Sequence, residues 1–145
     1  MTERGGHACD SQLEQSVCAE MQHQGLAHEH RSLHFRVADE AGGKADYTPA
    51  IVARRGSILF LVDSVESGTD RDAIDRFSRF LEQHSPELVL VLVTTDDAVE
   101  RIPPEAYDEV YAASDIGKLT SRIRSQDPKG IIRPFEKPSP RDSAR

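Results

Sequence analysis

The chain has 145 residues, of which 37% are hydrophobic and 30% charged, with no Trp and a formal net charge of −7. That gives room for one domain and one core. It argues against broad, sequence-independent binding to nucleic acid, and no apolar run approaches the roughly 18 residues of a membrane-spanning helix.

The opening, MTERGGHACD, carries no apolar periodicity and reads as a disordered lead over residues 1–10. It also lacks the charged-then-apolar order of a secretory signal, so a cytoplasmic protein without a membrane segment is expected. Cys9 and Cys18 are accordingly expected as free thiols. From Asp10 to Gly25 the spacing predicts a helix. Asp10 or Ser11 serves as its cap, Leu13, Val17, Cys18 and Met21 form a narrow apolar stripe, and Gly25 is the stop.

Residues 31–39 alternate Leu33, Phe35 and Val37 with His34 and Arg36, as a half-buried strand does. After a Gly-Gly turn at 42–43, two strands at about 49–54 and 57–63 are joined by Arg55-Gly56, a link short enough to require an antiparallel hairpin. The second of these is apolar on both faces and ends on one carboxylate, Asp63. A helix over 70–85 follows, with Asp70 as cap, a stripe of Ile74, Phe77, Phe80 and Leu81, and Pro86 after it. The run 87-ELVLVLVTT-95 then reads as a buried strand, parallel to the one before the helix through a right-handed crossover.

Asp96 and Asp97 read as a solvated turn, residues 98–107 as a loop or broken helix around Pro103-Pro104, and 109–113 as a short edge strand. A last helix over 114–125 has Ser114 as cap and Ile116, Leu119 and Ile123 as its stripe. The division is then a single domain over 11–125 and a basic, disordered tail over 126–145. Charge follows that division. Up to residue 117 there are 10 Lys and Arg against 22 Asp and Glu, and from 118 onward 8 against 3. The C-terminal end is therefore the candidate footprint for nucleic acid or an acidic protein, with Lys118, Arg122, Arg124, Lys129 and Arg133 as the contacts. It lacks interleaved aromatics, so such contacts would be to phosphates.

The order helix, three antiparallel strands, helix, parallel strand resembles the core of the PD-(D/E)xK nuclease superfamily, the restriction-endonuclease-like fold. The resemblance implies an α/β domain with a mixed sheet in the order α-β-β-β-α-β-β-α. It rests on residues 49–66, where the family places Pro-Asp at the start of its second strand and (Asp or Glu)-x-Lys at the end of its third. This chain has Pro49 followed by Ala50, then Asp63, then Val65 where the Lys would stand. Ala50 cannot ligate a metal and Val65 cannot orient a nucleophile. A lone carboxylate also holds Mg²⁺ weakly.

The reading is therefore a catalytically degenerate nuclease-like domain with no cofactor, acting as a nucleic-acid-associated or protein-interaction module. One alternative is an active Mg²⁺-dependent nuclease with Asp46, Asp63 and Glu66 as its carboxylates, Asp46 and Asp63 being the metal ligands, and Glu14 or Glu20 adding another. The other is a plain interaction domain, with the strand edges leaving room for a homodimer. The six residues His7, Cys9, Cys18, His23, His28 and His30 are of the types zinc prefers. Cys18 and His23 are five apart and miss a common helix face, however, and the His28-Glu29-His30 run suits a polar loop, so the expectation is that no zinc is bound.

Overall fold

The computed structural model describes residues 11–38, 42–66, 70–84 and 87–126. The expected lead over 1–10, most of the expected tail and Pro86 lie outside them. Helix α1, Gln12–His23, opens where the Ser11 side chain accepts from the Glu14 N–H. It closes in a Schellman motif, with Gly25 at φ 72°, Gly25 N–H on Gln22 O and Leu26 N–H on Met21 O.

Among the described residues seven strands follow in two sheets: β1 Glu29–His30, β2 Phe35–Ala38, β3 Lys44–Tyr47, β4 Ile51–Arg55, β5 Ile58–Val65, β6 Leu88–Thr94 and β7 Glu109–Ala112. The main sheet has the order β1-β4-β5-β6-β7, antiparallel from β1 to β5 and parallel from β5 to β7. Helix α2, Arg71–Gln83, makes the crossover from β5 to β6, and α3, Ile116–Arg124, follows β7. The described residues thus form a mixed α/β structure, with a five-stranded mixed sheet and three α-helices.

The β4–β5 hairpin pairs Arg55 with Ile58 around Gly56-Ser57, and Gly56 takes φ 60°. Positive φ at the first central residue is what a tight two-residue hairpin turn requires there. Strands β5 and β6 are apolar on both faces because both faces are covered. Phe60, Val62, Val89, Val91 and Val93 pack with α1 and α3, while Leu61, Val65, Leu90 and Leu92 pack with Phe77 and Phe80 of α2.

Two expectations need correction. The strand over 31–39 is not the first strand of the main sheet. Its strand, β2, pairs with β3 in a separate two-stranded sheet, Phe35 opposite Tyr47, and that small sheet covers the α2 face through Val37 and Tyr47. The first strand of the main sheet is instead the two-residue β1, paired to Val52 and Ile51. Arg31, at φ 52°, turns the chain out of the sheet directly afterwards. Ser114 is also not the cap of α3. It lies in a 3-10 turn over Ala113–Asp115, and its N–H donates to Asp96 Oδ1. No helix among the described residues is long and apolar enough to cross a membrane.

Candidate functional site

Two groups of buried and half-buried polar side chains lie near α1. The first grows from local geometry. Glu14 and Cys18 are one helical turn apart and share a face of α1. After the Gly25 stop the chain doubles back, and His28 and His30, two residues apart along an extended segment, present a common side. The His30 side chain is 4% exposed, Cys18 is 5% exposed and His28 is half-buried.

The Cys18 Sγ lies 3.3 Å from His28 Nε2 and 3.4 Å from His30 Nε2. Each ring is held from its other nitrogen. His28 Nδ1 is 3.0 Å from the carbonyl oxygen of Leu26, and His30 Nδ1 is 3.1 Å from Glu14 Oε2. Glu14 is itself buried and accepts from both terminal nitrogens of Arg31, at 2.8 and 3.0 Å. A buried carboxylate on this scale needs such pairing to remain charged. Three donor atoms of zinc-preferred type thus lie within 4.8 Å of one another.

The second group surrounds Asp63. Its Oδ2 accepts from the Tyr47 hydroxyl at 2.5 Å, and the Ala50 N–H also donates to the carboxylate. Burial pushes the Asp63 pKa up to about 7, against the opposing pull of the Tyr47 and Ala50 hydrogen bonds, with the Glu14 charge adding to the rise and Arg31 countering it. Burial and the adjoining Asp63 together hold the Tyr47 phenol well above its ordinary value. Val17, Ala50 and Val62 line the narrow cleft between Glu14 and Asp63, so it is largely apolar.

The other residues singled out from the sequence do not join Asp63. Asp46 precedes Tyr47 on β3, so strand alternation points it the opposite way. Its side chain is 78% exposed and pairs with Arg36 at 3.1 Å. Glu66 is exposed, past the end of β5. Of the basic set, Lys118 is exposed and 3.6 Å from Asp115, and Arg124 is exposed. Arg122 is turned inward, 2.8 Å from the buried Glu109, donating to Gln126 and lying 5.2 Å from the centre of the Phe60 ring. Lys129 and Arg133 lie outside the described residues.

At the carboxyl ends of the parallel strands, Asp97 accepts from the Thr95 hydroxyl and Asp70 from the Ala73 N–H, as turn and cap residues do. The sequence names Cys18, His28 and His30 among six residues of zinc-preferred type but does not show that these three converge, nor that Tyr47 reaches Asp63. The signal for the cluster was a helix cysteine, a Gly stop, and a His-x-His step on the returning strand. No protein-family model matches the chain, and none of the curated proteins is significantly similar to it.

Proposed function

We propose that the chain is a restriction-endonuclease-like module whose nuclease centre is closed, and that it works by binding rather than by hydrolysis. Supporting the reading, and leaving aside the β2–β3 sheet inserted between β1 and β4, the order α1, β1, β4, β5, α2, β6 with an antiparallel β4–β5 hairpin and a parallel β5–β6 crossover is the order that the resemblance implies. The observation that carries the reading is the Tyr47–Asp63 hydrogen bond. The one carboxylate in a motif position is half-buried and engaged by a phenol and a backbone N–H, and burial raises its pKa to about 7, so near neutral pH it is only partly ionised, whereas a Mg²⁺ ligand must be ionised and free to coordinate. Ala50 and Val65, both buried, add no ligand or catalytic amine.

Binding falls to the basic end, where Lys118 and Arg124 stand exposed on α3. Incubating labelled DNA or RNA with the purified chain and Mg²⁺ or Mn²⁺ tests the reading: no cleavage is expected, and cleavage abolished by Asp63→Asn overturns it. DNA affinity at low salt that falls steeply with added salt, and is lost on deleting residues 127–145, assigns the bound partner to nucleic acid. Absence of such binding assigns it to a protein.

A further inference from the structure

The proton count around Cys18 does not close with neutral side chains. A carbonyl oxygen can only accept, so the 3.0 Å contact between His28 Nδ1 and Leu26 O requires the proton on Nδ1. The same holds for His30 Nδ1 against the carboxylate of Glu14, which Arg31 keeps ionised. In the neutral rings both Nε2 atoms are then acceptors, and both are directed at one sulfur. A thiol has a single proton and can satisfy only one of them. The sulfur also accepts from Gln22 Nε2 at 3.7 Å, so the cluster needs one more positive charge, which either a second proton on one ring or a metal cation among the three atoms supplies.

We propose that Cys18, His28 and His30 bind a zinc ion, with Cys18 as thiolate and both histidines ligating through Nε2. The distances suit that ion. With Zn–S of about 2.3 Å and Zn–N of about 2.0–2.1 Å, a tetrahedron has S···N edges of about 3.5 Å, and the two observed separations are 3.3 and 3.4 Å. The outer contacts have the form that zinc-bound imidazoles use, one ring held by a carboxylate and the other by a backbone carbonyl. Two of the donors are buried, which keeps competing water low, while the half-buried His28 marks the side open to solvent. Three protein donors leave the fourth tetrahedral position to water or to an external ligand. The ion would also fasten α1 to the edge strand β1, because its ligands come from a helix and from the returning chain ten and twelve residues later. Glu14 lies between this cluster and Asp63, but the role does not depend on whether the Asp63 region is catalytic.

The test uses the full chain carrying Cys9→Ser, so that Cys18 is its single thiol. Metal-free protein is titrated with Zn²⁺ against a chromophoric chelator and, separately, with Co²⁺ while the sulfur-to-cobalt charge-transfer absorption is recorded. One ion per chain is expected, with a tetrahedral cobalt spectrum and protection of Cys18 from alkylation by Zn²⁺. Cys18→Ser is expected to abolish the charge-transfer band. His28→Ala, at a half-exposed position that leaves the core intact, should weaken Zn²⁺ binding by more than about 100-fold, and Glu14→Gln, through the orientation of His30, by about 10–100-fold. A folded Cys9→Ser chain that shows no cobalt–thiolate band, or whose alkylation is indifferent to Zn²⁺, overturns the proposal. So does a Zn²⁺ affinity left unchanged by His28→Ala.

Discussion

The Tyr47 hydroxyl donates to Asp63 Oδ2 at 2.5 Å, tying the small β2–β3 sheet to the end of β5. The partner that strand parity delivers to Asp63 is thus Tyr47, and its neighbour Asp46 is turned to solvent. A single-residue step on β3 separates a closed polar pair from the carboxylate pair that a metal would need.

Asp63 makes stability fall with rising pH. Its folded pKa of about 7 lies above the ordinary carboxylate value of 3.8, so between those values the native state holds more protons than the unfolded state. The stabilisation is fully present below the unfolded value and is lost as pH rises through the folded one. Its size is on the order of a few kcal/mol. Urea denaturation at pH 5 and pH 8 should show this loss, and Asp63→Asn should reduce the difference by at least about 1 kcal/mol. An identical pH dependence in the two proteins would remove the assignment.

Tyr47→Phe deletes a donor that favours the charged carboxylate. The Asp63 carboxyl should then titrate above its wild-type value, and the fold should lose about 1–2 kcal/mol as one buried hydrogen bond goes. The aromatic packing of residue 47 against Phe77 and Phe80 is retained in this variant, since the ring remains. A downward shift of the carboxyl would contradict the account.

Arg122 belongs to the core rather than to a phosphate-binding face. Its guanidinium faces Glu109, which is 2% exposed and also accepts from Tyr111. Arg122→Ala leaves that carboxylate buried without its cation and should cost about 3–5 kcal/mol in chemical denaturation. Adding Glu109→Gln to the same chain should recover part of the loss. The Tyr111 phenol, already raised by burial and then by Glu109, should titrate lower in the double variant.

Asp46→Ala should be nearly silent. The Arg36–Asp46 pair is exposed on both sides, with side chains 68% and 78% accessible, and such pairs contribute about 0–1 kcal/mol. A loss of several kcal/mol on thermal or urea denaturation would show that Asp46 has a buried role.

Much of the framework was legible because long apolar runs and caps leave strong local patterns. The two-sided strands β5 and β6, the hairpin around Gly56, and α2 with its Asp70 cap all follow from residues near one another in the chain. What escaped depends on distant partners. Two residues cannot display a period, so Glu29–His30 offered no strand signal, and the alternation of Phe35 and Val37 is equally at home in a separate two-stranded sheet. On its own helix Cys18 has only one histidine, His23, nearby in sequence, whereas its partners, His28 and His30, come from beyond the Gly25 turn. For Asp63 the missing carboxylate and Lys could be read from Ala50 and Val65, but the phenol that replaced them could not, since Tyr47 reaches it only through the packing of the small sheet.

The closed nuclease centre is tested most directly by carbon NMR titration of the Asp63 side-chain carboxyl, with and without Mg²⁺. A midpoint near pH 7 that is unmoved by millimolar Mg²⁺ is expected. A carboxyl that titrates near its ordinary value and shifts further when Mg²⁺ is added would contradict a closed centre.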